Sequence, residues 1–352
     1  MNRSMRAITI APGVAKSARL DTVPTPDIGE GAILVRTRAL GVCGTDREIL
    51  DGVHGSAPRG EERLILGHES LGIVESAPDG SGFEKGDLVV GVVRRPDPVP
   101  CAACASGEWD MCLNGLYTER GIKGRHGYGS EYFRIEPEFA VKVDASLGLA
   151  AVLIEPASVV AKAWDHVDRI GCRSASWQPR SLLVTGAGPI GLLGALIGAQ
   201  RGLQVHVLDR HRDGPKPLLS AELGAAYHAD VGSLADLAFD IVLECTAASP
   251  VIVEAIRRIA PSGIACLLGV SAAGRRDEFD IGGFNRKVVL NNEIVFGSVN
   301  ANLRHYRAAE RHLLAAPRNW IERLITRRVP LERWHEALEP RADDIKVVIE
   351  FG

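Results

Sequence analysis

Cysteine is scarce in this 352-residue chain, seven in all, and an excess charge of either sign is missing: 41 Lys and Arg stand against 44 Asp and Glu, a formal net charge of −3. No block of like charge marks a surface for nucleic acid or for a membrane, so the expected partner is a small molecule. The N-terminal stretch MNRSMRAITI lacks a long apolar core ending in small residues, so no secretory signal is expected and the compartment is read as the cytoplasm. Thiols stay reduced there, which argues against disulfides and for metal-binding or catalytic cysteines. Charge is also absent from Leu182 to Ala199, an 18-residue run at the lower limit for a membrane span. Its five glycines and one proline argue against a span, and no membrane partner is expected. Internal repeats and low-complexity tracts are missing as well.

The length suits two domains rather than one core. The first 150 residues or so read as short strands and turns, among them MRAITI, AILVRTRALGV, LGIVESA, DLVVGVV and AVKV. Beyond Pro156 a helical stretch, ASVVAKAWDHV, leads into apolar strands (SLLVTG, LQVHVLD, FDIVLEC, GIACLLGV, EIVFGSV) that alternate with helix-length segments. That order predicts a parallel sheet wound by helices. The terminal strand IKVVIEFG is expected to pair back into the first domain, because a lone strand needs a sheet.

Gly186-Ala-Gly188-Pro189-Ile190-Gly191 follows a strand and opens a helix. The first glycine allows a tight turn, the second lets a pyrophosphate approach the backbone, and the third lets helix and strand pack closely. Phosphates are then expected at the helix N-terminus, where free N–H groups and the dipole favour an anion. Asp209, ending the next strand, suits the ribose hydroxyls of NAD. Arg210 and Arg212 just beyond it suit the 2′-phosphate of NADP, so use of NAD, NADP or both is expected.

Elsewhere GVCGTD carries Cys43 and Thr45, LGHES carries His68 and Glu69, and LIEPAS carries Glu155. Cys, His and carboxylate are zinc-binding types, and three protein ligands with one open position make a catalytic site. Scattered in sequence, they prove little by themselves. The order GVCGTD, GHE, a cysteine-bearing lobe near residue 100 and GAGPIG, however, resembles the zinc-dependent medium-chain dehydrogenase family over essentially the full chain. RRP, ERGIKGRHGYGSEYF, LIEPASVV and GSVNAN resemble its glucose 1-dehydrogenase branch. The resemblance implies a mainly-β GroES-like catalytic domain (1–164 and 299–352) interrupted by a Rossmann domain (165–298), a catalytic zinc, NAD or NADP, and oxidation of an aldose at its anomeric carbon.

Position by position, the resemblance implies Cys43 and His68 as zinc ligands, Glu69 as a carboxylate that binds the metal directly or through water, and Glu155 as a further ligand or sugar contact. Thr45 becomes a hydroxyl relay, Glu119 a carboxylate for sugar hydroxyls, and Asn300 a residue near nicotinamide and sugar. A carboxylate such as Glu119 suits a polyhydroxylated substrate because it can accept from two adjacent hydroxyls at once. A homodimer or homotetramer is implied too. A polyol, aminocyclitol or other secondary alcohol stands as the alternative substrate, since fold and zinc do not fix it. A catalytically silent cofactor-binding sensor is the alternative from another class.

The lobe itself, PDPVPCAACASGEWDMC, departs from the family's four-cysteine structural zinc site. Cys101, Cys104 and Cys112 fall on three of its positions, but the first is Pro98, which has no donor. Asp97 or a water is then the expected fourth ligand. The other outcome is a metal-free lobe with reduced thiols. Cys172, Cys245 and Cys266, in or beside apolar strands, are expected to be buried small hydrophobes.

Overall fold

A computed structural model describes residues 4–271 and 278–352. The chain divides into two compact units, one of Met1–Ser158 with Asn300–Gly352 and the other of Val159–Val299.

The first unit is built on a seven-stranded sheet. Strand Ile33–Val42 lies at its centre, pairing antiparallel with Glu69–Ser76, with Tyr132–Ile135 and with Lys346–Glu350. The terminal strand thus joins the first unit, with Val347 opposite Val42 and Glu350 opposite Ala39. Alternation explains its place: Ile33, Val35 and Thr37 are buried while Leu34, Arg36 and Arg38 are less so, as a sheet with one face on a core requires. Ile8, Ile10, Ile33, Val35, Leu64, Val74 and Tyr128 belong to that core. A three-stranded sheet (Arg19–Pro24, Ser4–Ile10, Leu64–Ile65) and another formed by Arg94–Arg95, Thr118–Arg120 and Gly124–Arg125 complete the unit.

In the second unit six parallel strands run in the order Ala226–His228, Gln204–Leu208, Ser181–Thr185, Phe239–Glu244, Ile259–Leu267, Ile294–Gly297. This is the doubly wound order of the Rossmann fold, whose ligands sit beyond the carboxyl ends of the strands at the point where the winding reverses. Ser181–Thr185 and Phe239–Glu244 flank that point. The uncharged run Leu182–Ala199 resolves into strand, glycine turn and helix Pro189–Gln200. A different helical run, Ala145–Gly171, is long and apolar enough to cross a membrane. However, 72% of its apolar window is buried in the protein, as in a core helix.

Cys172 departs from expectation. It is exposed, because it follows the C-terminal end of helix Ile154–Gly171 rather than lying in a strand.

Candidate active site

Cys43 follows the central strand and caps helix Gly44–Leu50, and its N–H donates to Asp46 Oδ2 at 2.8 Å. The other Asp46 oxygen lies 3.4 Å from His68 Nδ1, with both side chains buried. One carboxylate therefore closes a helix turn and also fixes an imidazole. A carboxylate on this side favours the proton on Nδ1 and leaves Nε2 as the nitrogen suited to a metal, the arrangement common to metal-binding histidines. Burial lowers the pKa of His68, but Asp46 and Cys43 raise it by more, to well above its ordinary value.

Ligand atoms of Cys43, His68 and Glu69 lie within 4.8 Å of one another, a cluster able to hold a metal ion. The donor set fits zinc: thiolate, imidazole and carboxylate. Glu69 also has another partner, since Lys346 Nζ stands 2.7 and 2.6 Å from its two oxygens and 3.2 Å from the Val42 carbonyl. Gly41 makes room for this carboxylate, which a Cβ there would strike. Glu155 lies outside the three-residue cluster but feels its charges. Burial, Glu69 and Asp46 push its carboxyl up to about 7, against the pull of His68 and Lys346. Thr45 Oγ1 is 4.0 Å from Cys43 Sγ.

Glu119 sits opposite Arg94 in a small buried sheet. Its Oε1 accepts from Arg94 Nε at 3.0 Å, Arg94 Nη2 at 2.9 Å and Asn300 Nδ2 at 2.9 Å. Asn300 holds a left-handed φ of 62°, uncommon away from glycine and a mark of a constrained position. These three bonds engage Oε1, and among the described residues none is made to Oε2.

The glycine turn has the expected form. Gly186 has φ of 89°, Gly188 caps the helix that opens with Pro189 and Ile190, and a Cβ on Gly191 would strike the Gly186 carbonyl. Asp209 Oδ2 accepts from Ala187 N–H at 2.7 Å, and Oδ1 from His211 N–H at 3.0 Å, so the carboxylate ties the turn to the next loop. Burial raises the pKa of Asp209, while His211, the Ala187 N–H and Lys216 bring it below the usual range. Arg210 and Arg212 are exposed, whereas Lys216 is buried 3.7 Å from Asp209.

In the lobe, the thiols of Cys101, Cys104 and Cys112 lie within 4.8 Å of one another. Cys101 Sγ accepts N–H bonds from Leu113 (3.3 Å) and Cys104 (3.5 Å), which push its thiol down to about 6. Asp97 does not join them. One oxygen accepts from Val99 N–H at 2.9 Å, the other from the Asn114 amide, and Asn114 Oδ1 in turn accepts from the Cys112 thiol at 3.0 Å.

Sequence reasoning gave no role to Asp46, Lys346 and Arg94: Asp46 and Arg94 stand inside the motifs GVCGTD and RRP without a partner visible in sequence, and Lys346 stands in the terminal apolar strand. It assigned His126 no role, and in the structure its ring pairs with Glu61 at 2.9 Å and accepts from Ile65 N–H.

Residues 29–145 match the alcohol dehydrogenase GroES-like domain, and residues 148–351 match the glucose dehydrogenase C-terminus. The chain is 41% identical to glucose 1-dehydrogenase of Methanocella arvoryzae, covering 99% of this chain and 100% of that one. It is also 41% identical to glucose 1-dehydrogenase of Thermoproteus tenax, with 98% and 99% covered. A solved structure of Haloferax mediterranei glucose dehydrogenase in complex with NADP, Zn and gluconolactone superposes with a TM-score of 0.90 at 34% identity, covering 99% of each chain.

Proposed function

Since the chain belongs to the glucose dehydrogenase family, within the alcohol dehydrogenases with a GroES-like domain, we propose that it oxidises an aldose, D-glucose first, at C1 to the lactone. NADP or NAD is the acceptor and zinc the metal. The sugar loses a proton from its C1 hydroxyl and a hydride from C1; the products are lactone, reduced cofactor and a proton. The observation that carries this reading is the Cys43–His68–Glu69 cluster with His68 pinned by Asp46.

Zinc, when bound, supplies Lewis acidity that makes a sugar hydroxyl a better acid near neutral pH. Cys43 and His68 would hold it, Asp46 would keep His68 in the ligating tautomer, and Glu155 would serve as a further carboxylate ligand or a sugar contact. Glu69, paired with Lys346, acts at one remove, so that the site keeps a position for the sugar. Thr45 is too poor a base to keep a proton and passes it on through hydrogen bonds. Glu119 accepts a hydroxyl of the sugar. The turn Gly186–Gly191 takes the pyrophosphate and Asp209 the adenosine ribose, with Arg210 exposed beside it for a 2′-phosphate.

Cys101, Cys104 and Cys112 are read as ligands of a second, structural zinc, with the fourth position left to water because Asp97 is engaged by Asn114. A homodimer or homotetramer in the cytoplasm completes the reading, and light scattering reads the assembly. Formation of NADH and NADPH over a panel of aldoses, polyols and simple alcohols tests the function. Turnover of alcohols but of no aldose would overturn the sugar assignment, and no turnover with zinc loaded would favour a silent sensor.

A further inference from the structure

Among the described residues, the hydrogen bonds of the Glu119 carboxylate fall on one oxygen. Arg94 presents Nε and Nη2 to Oε1, Asn300 adds its amide to the same atom, and Oε2 has no hydrogen-bond partner among the described residues. Arg94 is itself held on two further sides. Its Nη1 donates to the Asp110 carbonyl at 3.2 Å, and its guanidinium lies 3.7 Å over the Tyr117 ring. Asp110 stands two residues before Cys112, and its Oδ1 accepts from Asn302 Nδ2 at 2.8 Å, two residues beyond Asn300. Both donors to Glu119 therefore trace back to Asp110 and so to the cysteine lobe. A guanidinium fork fixed at three points loses little freedom on binding a carboxylate, which a lysine could not match.

Resting on the reading of Glu119 as the sugar's carboxylate, we propose that Arg94 is its positioning residue. Arg94 and Asn300 occupy Oε1, so that Oε2 alone meets a sugar hydroxyl, and Asp110 anchors the arrangement in the cysteine lobe. A hydroxyl must then approach from one direction. A lobe that has lost its order should weaken sugar binding without touching the site of hydride loss.

The test is a double-mutant cycle on the zinc-loaded enzyme with D-glucose and NADP: Glu119→Gln, Arg94→Met and both together, with Arg94→Lys as a charge-keeping control. Each single change should raise KM for glucose by about tenfold or more, with a smaller effect on kcat and none on the Kd for NADPH. The double variant should resemble either single one, because Arg94 acts through Glu119, and Arg94→Lys should recover part of the loss. Effects of Arg94→Met and Glu119→Gln that multiply, or an Arg94→Met change confined to kcat, would overturn the proposal and leave Glu119 in place. If Glu119→Gln leaves KM unchanged, the sugar-binding role of Glu119 itself is wrong and the proposal goes with it. Should Arg94→Met fail to fold, Arg94→Lys at unchanged KM overturns the proposal alone.

Discussion

Lys346 and Glu69 form a buried ion pair with Nζ 2.6 and 2.7 Å from the two carboxylate oxygens, each side chain 1% exposed. The pair joins the terminal strand to the strand that follows His68, where burial alone would drive the lysine neutral. Glu69, together with Cys43, holds Lys346 charged against the cost of burial. Breaking such a pair from one side leaves an uncompensated charge. Lys346→Met should destabilise the fold by about 3–5 kcal/mol, and adding Glu69→Leu should restore most of it. Urea unfolding of the wild type and the two variants checks this.

Asp46 serves a helix cap and a histidine together. Asp46→Asn keeps the cap's shape but weakens the hold on the Nδ1 proton. Zinc affinity should fall about 10–100-fold, in the range seen when partners of metal-ligating histidines are changed. Competition against a chelator of known affinity reads the loss. Unchanged affinity would mean that the ring is oriented by packing alone.

Much of this was legible in the sequence, though unevenly. Strands of the second unit announced themselves as apolar runs, and Gly186, Gly188 and Gly191 carried their geometry in their spacing. Ala226–His228 did not, because three partly exposed residues have no periodicity to detect. Nor did helix Ile281–Asn291, which buries none of its side chains deeply. Cys43, His68 and Glu69 drew attention through short motifs. The roles of Lys346 and of Arg94, though the latter opens the motif RRP, were not legible, since a lysine 277 residues from its carboxylate and an arginine 25 residues from its own acquire meaning only when strands pair.

Asp209 links the glycine turn to the loop beyond it through Ala187 N–H and His211 N–H. Asp209→Ala should weaken NADH binding by about 10–100-fold, the equivalent of losing charge-assisted hydrogen bonds worth roughly 1.5–3 kcal/mol. NADPH should suffer less, because the carboxylate that repels its 2′-phosphate is gone. Fluorescence titration with both cofactors distinguishes the two effects.

Glu136 gives a pH signature away from the metal. Burial raises its pKa, but Arg95 at 2.8 Å and Arg125 outweigh this and bring it below the ordinary value. A carboxylate lowered on folding stabilises above its unfolded pKa of about 4.3, and the contribution disappears as pH falls through the folded value. The difference in Tm between wild type and Glu136→Gln should therefore be largest near pH 7 and close to zero at the acid end. A difference that stays constant with pH would assign the effect to packing.

The cysteine lobe predicts a metal count. With three thiols clustered and Cys101 already stabilised by N–H bonds, roughly two zinc ions per chain are expected, falling to about one in Cys101→Ala/Cys104→Ala. One zinc per chain in the unaltered protein would make the lobe a metal-free one.

The most direct measurement is the initial rate of NADPH formation from D-glucose, with the lactone identified, for the zinc-loaded wild type and for Cys43→Ala and His68→Ala. The account predicts glucose oxidation by the wild type and a loss of about a thousandfold or more in both variants, with NADPH affinity retained. Full activity in either variant would contradict a reaction centred on Cys43 and His68.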